Sequence, residues 1–133
     1  MAYAADRERG ILTTKKSGEF KAFTMQSLPH PGIATDLQSP FSVLATQAMG
    51  SSLIHDPMYE GRLKHIFELQ KMGAQAVICD PHRVIVTGPT PLTGRTIPGL
   101  DIRSGATLVM AGLVASGETI IKGADIIERG YSF

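Results

Sequence analysis

The sequence predicts an α+β fold built from a strand-helix-strand-helix-strand-strand unit, present once in full and once in part. Three observations carry this. Apolar residues recur at helical spacing in three segments. Short β-branched runs, bounded by glycine and proline, separate them. Two stretches 65 to 67 residues apart carry the same landmarks in the same order. The 133 residues bound the chain to one domain or a piece of one. With 13 basic and 12 acidic residues the formal charge is +1, which argues against a nucleic-acid or polyanion binder. Charged residues at 19% and hydrophobic residues at 43% exclude a disordered chain. No apolar run reaches membrane-spanning length, because Gly105 and Gly112 interrupt the longest candidate. A single cysteine, Cys79, excludes a disulfide framework within the chain.

Taken in order, residues 1–10 are polar and read as a flexible tail without the apolar core of a signal segment, so a cytoplasmic location is expected. Residues 11–14 form a short strand, and Lys15 to Glu19 a turn around Gly18. Phe20 to Met25 alternates as a strand. Pro29 and Pro31 then force an irregular loop. Thr35 or Asp36 supplies an N-cap oxygen for a helix marked by Leu37, Phe41, Leu44 and Ala48 and stopped by Gly50. Ser51 to His55 is a strand. From Arg62, the residues Leu63, Ile66, Phe67 and Met72 mark an amphipathic helix that ends at Gly73. Residues 76–79 and 84–87 form a hairpin. One short strand fits in the Pro- and Gly-rich stretch that follows. Asp101 caps a third helix, apolar almost all round and therefore expected to be buried on most sides. Gly117 ends it, and Thr119 to Ile121 begins another strand.

The repeat matches Asp36-Leu37-Gln38 with Asp101-Ile102-Arg103, Gly50 with Gly117, and Arg62 with Arg129. Unit one runs from about residue 20 to 87 and a shortened unit two from about 92 to 133; residues 11–133 form one partial domain. The chain reads as a slice of a longer array. Right-handed crossovers place both helices of a unit on one face of its sheet, so a partial array exposes apolar surface and self-association is expected.

The repeat sets an acid at two helix starts, Asp36 and Asp101, and arginines at Arg62, Arg103 and Arg129. The plain reading is N-caps and solvated arginines. Yet arginine at a helix N-terminus opposes the macrodipole, and becomes favourable where an anion binds. The pattern suggests a cleft for an anionic ligand, with Asp36 free to act as a base. His30 and His82 read as loop residues, and no histidine pair has metal-ligand spacing, so neither a metal nor a cofactor is expected. Cys79, in an apolar strand, reads as a buried structural thiol. GPTPLTG lacks the Lys-Ser/Thr ending of a phosphate loop.

The segments LPHPGIATDLQSPF, YEGRLKHIFELQKMGA, GPTPLTG, LDIRSGATLVMAGLVASGET and IIERGY, in this order, resemble the C-terminal region of the UDP-N-acetylglucosamine enolpyruvyl transferase (1-carboxyvinyltransferase) family. The resemblance covers nearly all of residues 10–133. It implies an inverted barrel of βαβαββ units in two domains, and transfer of enolpyruvyl from phosphoenolpyruvate to the 3-hydroxyl of UDP-N-acetylglucosamine for peptidoglycan precursors. Asp36 resembles the aspartate that takes the hydroxyl proton. Arg129 resembles the arginine that holds phosphoenolpyruvate. Arg62, Asp101 and Arg103 resemble further active-site groups, and Met58 and Tyr59 the apolar residues beside the nucleotide sugar. This chain reads GRLKH where the family has N-R-F-x-H, and IERGY where it often has H-x-D-R-G-Y. The family's other domain, with a lysine, an arginine and a mobile loop bearing a reactive Cys or Asp, has no counterpart in these residues, so no turnover is expected of them alone. Two other readings are a non-catalytic module that binds itself or a partner, and an enolpyruvylshikimate phosphate synthase-like enzyme.

Overall fold

The computed structural model describes residues 2–15 and 18–130. The chain starts with a hairpin: β1 (Ala2–Asp6) pairs antiparallel with β2 (Ile11–Lys15). The structure thus differs from the tail expected over residues 1–10. Gly10 takes φ 65 in the connecting turn, and Arg9 N–H donates to Asp6 Oδ1 at 3.0 Å, which closes it.

The first unit follows the expected order: β3 (Thr24–Gln26), a 3-10 turn (Thr35–Leu37), α1 (Gln38–Thr46), β4 (Gly50–His55), α2 (Lys64–Lys71), β5 (Gln75–Asp80) and β6 (Arg83–Gly88). These strands form one sheet in the order β3-β4-β6-β5, with β3 parallel to β4 and the other pairs antiparallel. The second unit supplies β7 (Thr96–Pro98), α3 (Ile102–Val114), β8 (Ile120–Lys122) and the one-turn helix α4 (Asp125–Glu128), which the sequence reading did not anticipate. Strands β7 and β8 are parallel. Tyr131, the last residue of the ERGY motif, lies outside the described residues.

The duplication is visible in strand register. Lys21 bridges Met49 and Thr24 pairs with Leu53; in the second unit Thr93 bridges Ser116 and Thr96 pairs with Ile120. On the first strand both steps, Lys21 to Thr93 and Thr24 to Thr96, are 72 residues; on the second, Met49 to Ser116 and Leu53 to Ile120, both are 67. Gly50 and Gly117 occupy the same corner, at φ 105 and 81, where a side chain would be strained.

Helices α1 and α2 cover one face of the four-stranded sheet, and α3 packs against both. The core between them includes Ile54, Ile66, Leu69, Val84, Val86 and Leu108, all buried. Each such side chain contributes roughly 1.5–3 kcal/mol of burial. No helix among the described residues is long and apolar enough to cross a membrane.

Several local expectations are corrected. The regular strand expected over residues 20–25 shortens to Thr24–Gln26, because Phe23 N–H donates to the Ser52 hydroxyl instead of a backbone carbonyl. Neither Thr35 nor Asp36 caps α1; both sit in the 3-10 turn, and the cap position falls to Leu37 without a side-chain bond. Helix α1 ends at Thr46 rather than at Gly50, and it buries Gln38, Ser39, Ser42, Val43, Ala45 and Thr46 while Leu37 is exposed. Its polar groups are tolerated inside because most are paired: Ser42 Oγ bonds the Gln38 carbonyl and Thr107 Oγ1 donates to Ser39 Oγ at 2.9 Å. Helix α3 is not buried on most sides. One face, through Leu108 and Ala111, meets the other helices, while Leu113 is 81% and Val114 50% exposed. Cys79 is exposed, since odd positions of β5 point away from the helices.

Candidate functional site: an arginine-lined corner at three helix starts

The first turns of α1 and α3 and the start of α2 open on one corner of the molecule, around a cavity of about 220 Å³. Gln38 and Ser39 come from α1, Lys64 from α2, and Arg103 and Ser104 from α3. The first N–H groups of a helix have no partners within it, and the aligned peptide dipoles leave its N-terminus partly positive. Three such ends beside Arg62, Lys64 and Arg103 make a corner suited to phosphate or carboxylate.

The side chains are tied together. Arg103 Nη1 donates to Asp36 Oδ1 at 2.6 Å, and Arg62 Nη1 lies 3.8 Å from the same oxygen. Arg62 Nη1 also donates to Thr35 Oγ1 at 3.0 Å. Thr35 in turn donates to Asp56 Oδ2, and Asp56 Oδ1 accepts from Met58 N–H at 3.0 Å. Asp56 is buried, so this carboxylate anchors the turn that carries Thr35. The Arg62 guanidinium stacks on the Tyr59 ring at 3.8 Å, a cation–π contact that fixes its plane.

Asp101 is the N-cap of α3, as the sequence predicts: its Oδ1 accepts from the N–H groups of Arg103 and Ser104, both at 3.1 Å, and Oδ2 from Ser104 Oγ at 2.8 Å. Burial raises the pKa of this carboxyl, but the bonds from Ser104 and the Arg103 N–H and charge outweigh it and hold the group below the usual carboxylate range. Beneath the corner His65 is fully buried, its Nε2 3.2 Å from Ser42 Oγ. Burial pushes its pKa down to about 4, against the opposing pull of the Arg62 backbone and the Asp101 charge, so the ring is neutral at pH 7.

Four of the seven residues singled out in the sequence, Asp36, Arg62, Asp101 and Arg103, thus meet at one corner. Tyr59 joins them by stacking, and the Met58 backbone N–H reaches the network through Asp56. Asp36 is not free, as the sequence reading had it, but ion-paired to Arg103. It borders a second, mainly apolar cavity of about 400 Å³ that includes Leu37, Met110 and Ile127 and shares Arg103 with the first. Arg129 follows α4, is exposed and lines neither cavity. Sequence reasoning missed Thr35, Gln38, Asp56 and Lys64. Only Thr35 and Gln38 had a signal, as flanks of Asp36 in the TDLQ segment. Among the described residues, no group of three or more His, Cys, Asp or Glu side chains is placed to hold a metal ion.

The model of the family EPSP synthase (3-phosphoshikimate 1-carboxyvinyltransferase) matches residues 4–133. The chain is 42% identical over 120 residues to a UDP-N-acetylglucosamine 1-carboxyvinyltransferase of Clostridium botulinum (strain ATCC 19397 / Type A), covering 90% of this chain and 28% of the relative. It is 39% identical over 132 residues to UDP-N-acetylglucosamine 1-carboxyvinyltransferase 2 of Listeria monocytogenes serovar 1/2a (strain ATCC BAA-679 / EGD-e), covering 99% of this chain and 31% of that one. The chain therefore spans less than a third of the length of these curated relatives. Among solved structures, the enolpyruvyl transferase NikO from Streptomyces tendae superposes with a TM-score of 0.81 at 24% identity, over 90% of this chain and 28% of that one, a likeness of fold. The repeated unit and the matched segments agree, and the chain belongs to the EPSP synthase family of carboxyvinyl transferases.

Proposed function

We propose that these residues are part of a cytoplasmic enzyme that moves enolpyruvyl from phosphoenolpyruvate to the 3-hydroxyl of UDP-N-acetylglucosamine, in peptidoglycan precursor synthesis. The observation that carries the reading is the joining of Asp36, Arg62 and Arg103 at a corner where three helix N-termini favour anions. The names of the relatives, which describe transfer to a nucleotide sugar, support this branch over a shikimate substrate. In the proposed chemistry Asp36 takes the hydroxyl proton as the sugar oxygen adds to C2 of phosphoenolpyruvate, while C3 takes a proton from an acid outside these residues and becomes a methyl group. Loss of phosphate from C2 and of a proton from that methyl group then restores the double bond and leaves the enolpyruvyl ether. Arg62, Asp101 and Arg103 hold the anionic and hydroxyl groups of the substrates, Met58 and Tyr59 flank the nucleotide sugar, and Arg129 holds phosphoenolpyruvate. For Asp36 to accept a proton, substrate must displace the Arg103 guanidinium from its Oδ1.

The remaining catalytic groups come from a second domain, so these residues alone bind substrate without turning it over. Calorimetry tests this: UDP-N-acetylglucosamine binds the chain, Arg103→Ala abolishes binding, and no phosphate is released with both substrates present. Absence of binding to the unaltered chain would refute the reading, as would binding of shikimate 3-phosphate in its place. Exposed Met110, Leu113 and Val114 on α3 and Ile120 on β8 support self-association or docking of the missing domain on this side. A monomer by light scattering at high concentration would exclude self-association.

A further inference from the structure

We propose that Asp56 is a positioning residue of the arginine-lined corner: its two carboxylate oxygens hold the two contacts that orient the Arg62 guanidinium. That this orientation serves ligand binding rests on the reading of the corner as the substrate site. Arg62 and Thr35 line the cavity of about 220 Å³, whereas Asp56 does not. Asp56 directly follows β4 and is 1% exposed. Its backbone is fixed from both sides by the turn between β5 and β6. Asp56 N–H donates to the His82 carbonyl, and His82 Nδ1–H donates to the Asp56 carbonyl, both at 2.8 Å. The carboxylate is therefore set in place by the sheet.

Oδ2 accepts from the Thr35 hydroxyl and Oδ1 from the Met58 N–H at 3.0 Å. Each bond governs one contact of Arg62. A threonine hydroxyl has a single proton. With that proton given to Asp56, the lone pairs of Thr35 Oγ1 are left to accept from Arg62 Nη1 at 3.0 Å. The 3-10 turn that carries Thr35 buries none of its residues, so this bond, more than packing, fixes where the hydroxyl sits. On the other side, Met58 precedes Tyr59, whose ring lies 3.8 Å from the guanidinium carbon. The bond to Met58 N–H sets the backbone from which that ring projects. A guanidinium is planar and donates in its own plane, so an acceptor at its edge and a ring on its face together define its orientation. A carboxylate meets both demands, because two donors, Thr35 O–H and Met58 N–H, point at its two oxygens. An asparagine at this position has one acceptor oxygen and an NH₂ group, which sets donor against donor at one of the two places.

The experiment follows the Arg62 guanidinium directly, by NMR of its Nη–H groups in the chain without ligand, the signals being assigned by their loss in Arg62→Lys. A held guanidinium gives separate Nη signals, and a free one averages them by rotation about the Cζ–Nε bond. Separate signals are expected in the unaltered chain and in Thr35→Ser, which keeps the hydroxyl. Averaged signals are expected in Asp56→Asn and in Thr35→Val, which keeps the volume and removes the hydroxyl; the second variant decides should the first not fold. Separate signals in Thr35→Val and in folded Asp56→Asn would overturn the proposal, as would averaged signals in the unaltered chain. Calorimetry with UDP-N-acetylglucosamine and with phosphoenolpyruvate reads the consequence. Asp56→Asn, or Thr35→Val in its place, binds at least one of the two about ten-fold more weakly, the loss of one hydrogen bond to a charged group. In an Arg62→Lys background, whose ammonium has no plane to orient, the same substitution changes affinity less than about two-fold. An equal loss in both backgrounds would mark a general loosening of the fold and overturn the proposal. If the unaltered chain binds neither ligand, the substrate reading of the corner fails, and the guanidinium signals still decide the role of Asp56.

Discussion

Lowering the pH from 7 to 5 should weaken the fold through the buried side chain of His65. Its ring lies buried between α1 and α2, with Nε2 on Ser42 Oγ. Burial moves its pKa from 6.5 in the unfolded chain to about 4 in the folded one, and the Arg62 backbone and the Asp101 charge only partly offset this. The unfolded chain therefore takes up the proton first. Stability from this group is complete above pH 6.5 and declines as the pH falls toward 4. The separation from 6.5 to about 4 corresponds to about 3 kcal/mol in full, of which about 2 kcal/mol falls between pH 7 and 5. Asp80 and Asp101 are held below the usual carboxylate range and stay charged across this window. Urea unfolding at a series of pH values, on the unaltered chain and on His65→Gln, isolates the term. The unaltered chain should lose about 2 kcal/mol more than the variant between pH 7 and 5. Parallel curves for the two proteins would refute the reasoning.

Asp101→Ala removes the cap of α3 and should lower stability by about 1 kcal/mol, read from the urea midpoint. It should also weaken nucleotide-sugar binding, because the first turn that carries Arg103 loses its anchor. Asp36→Asn should change stability by less than about 1 kcal/mol, since its ion pairs are formed by a side chain 66% exposed. A loss above about 2 kcal/mol would mean that this pair holds α3 to the turn before α1. Gly88→Ala should destabilise by about 2 kcal/mol or more: an added Cβ would lie 2.6 Å from the Thr46 and Ala48 carbonyl oxygens and 2.8 Å from that of Ala45, all backbone atoms. A melting temperature equal to that of the unaltered chain would show that the end of α1 can move aside.

Periodicity and punctuation made the element order of the first unit and the start of the second legible, because β-branched runs and glycine corners are local signals. What stayed hidden depends on tertiary context. Of the apolar residues chosen for α1, Leu37, Phe41 and Leu44 are more exposed than Gln38, Ser39 and Ser42, and the buried Ala48 lies past the end of the helix. A helix wedged between a sheet and two other helices can bury hydroxyls if they find partners, and partners 23 and 68 residues away, His65 and Thr107, leave no trace in a hydrophobic pattern. Helix α3 reads as buried all round, yet exposes Leu113, because composition does not say how much neighbouring structure is present to cover it. The arginines were legible through their conflict with the helix dipole, whereas Asp56 was not, since an aspartate before a proline reads as an ordinary turn.

The two units also show how one landmark acquires two chemistries. Asp36 and Asp101 stand at equivalent points of the repeat. In the second unit the chain enters α3 directly, so the Asp101 carboxylate is taken up by the N–H groups of Arg103 and Ser104 and becomes a cap. In the first unit the 3-10 turn of Thr35–Leu37 intervenes and moves the cap position to Leu37. The Asp36 carboxylate is released from local duty and turned outward, where its strongest contact, at 2.6 Å, is with an arginine 67 residues away in the other unit. An acid from one copy and a guanidinium from the next thus share one site. Neither copy alone contains this pair, because the arginine that bonds Asp36 stands in the helical turn that Asp101 caps. The duplication supplies the geometry, and the one local difference at the helix start turns the Asp36 carboxylate toward Arg103 instead of its own helix.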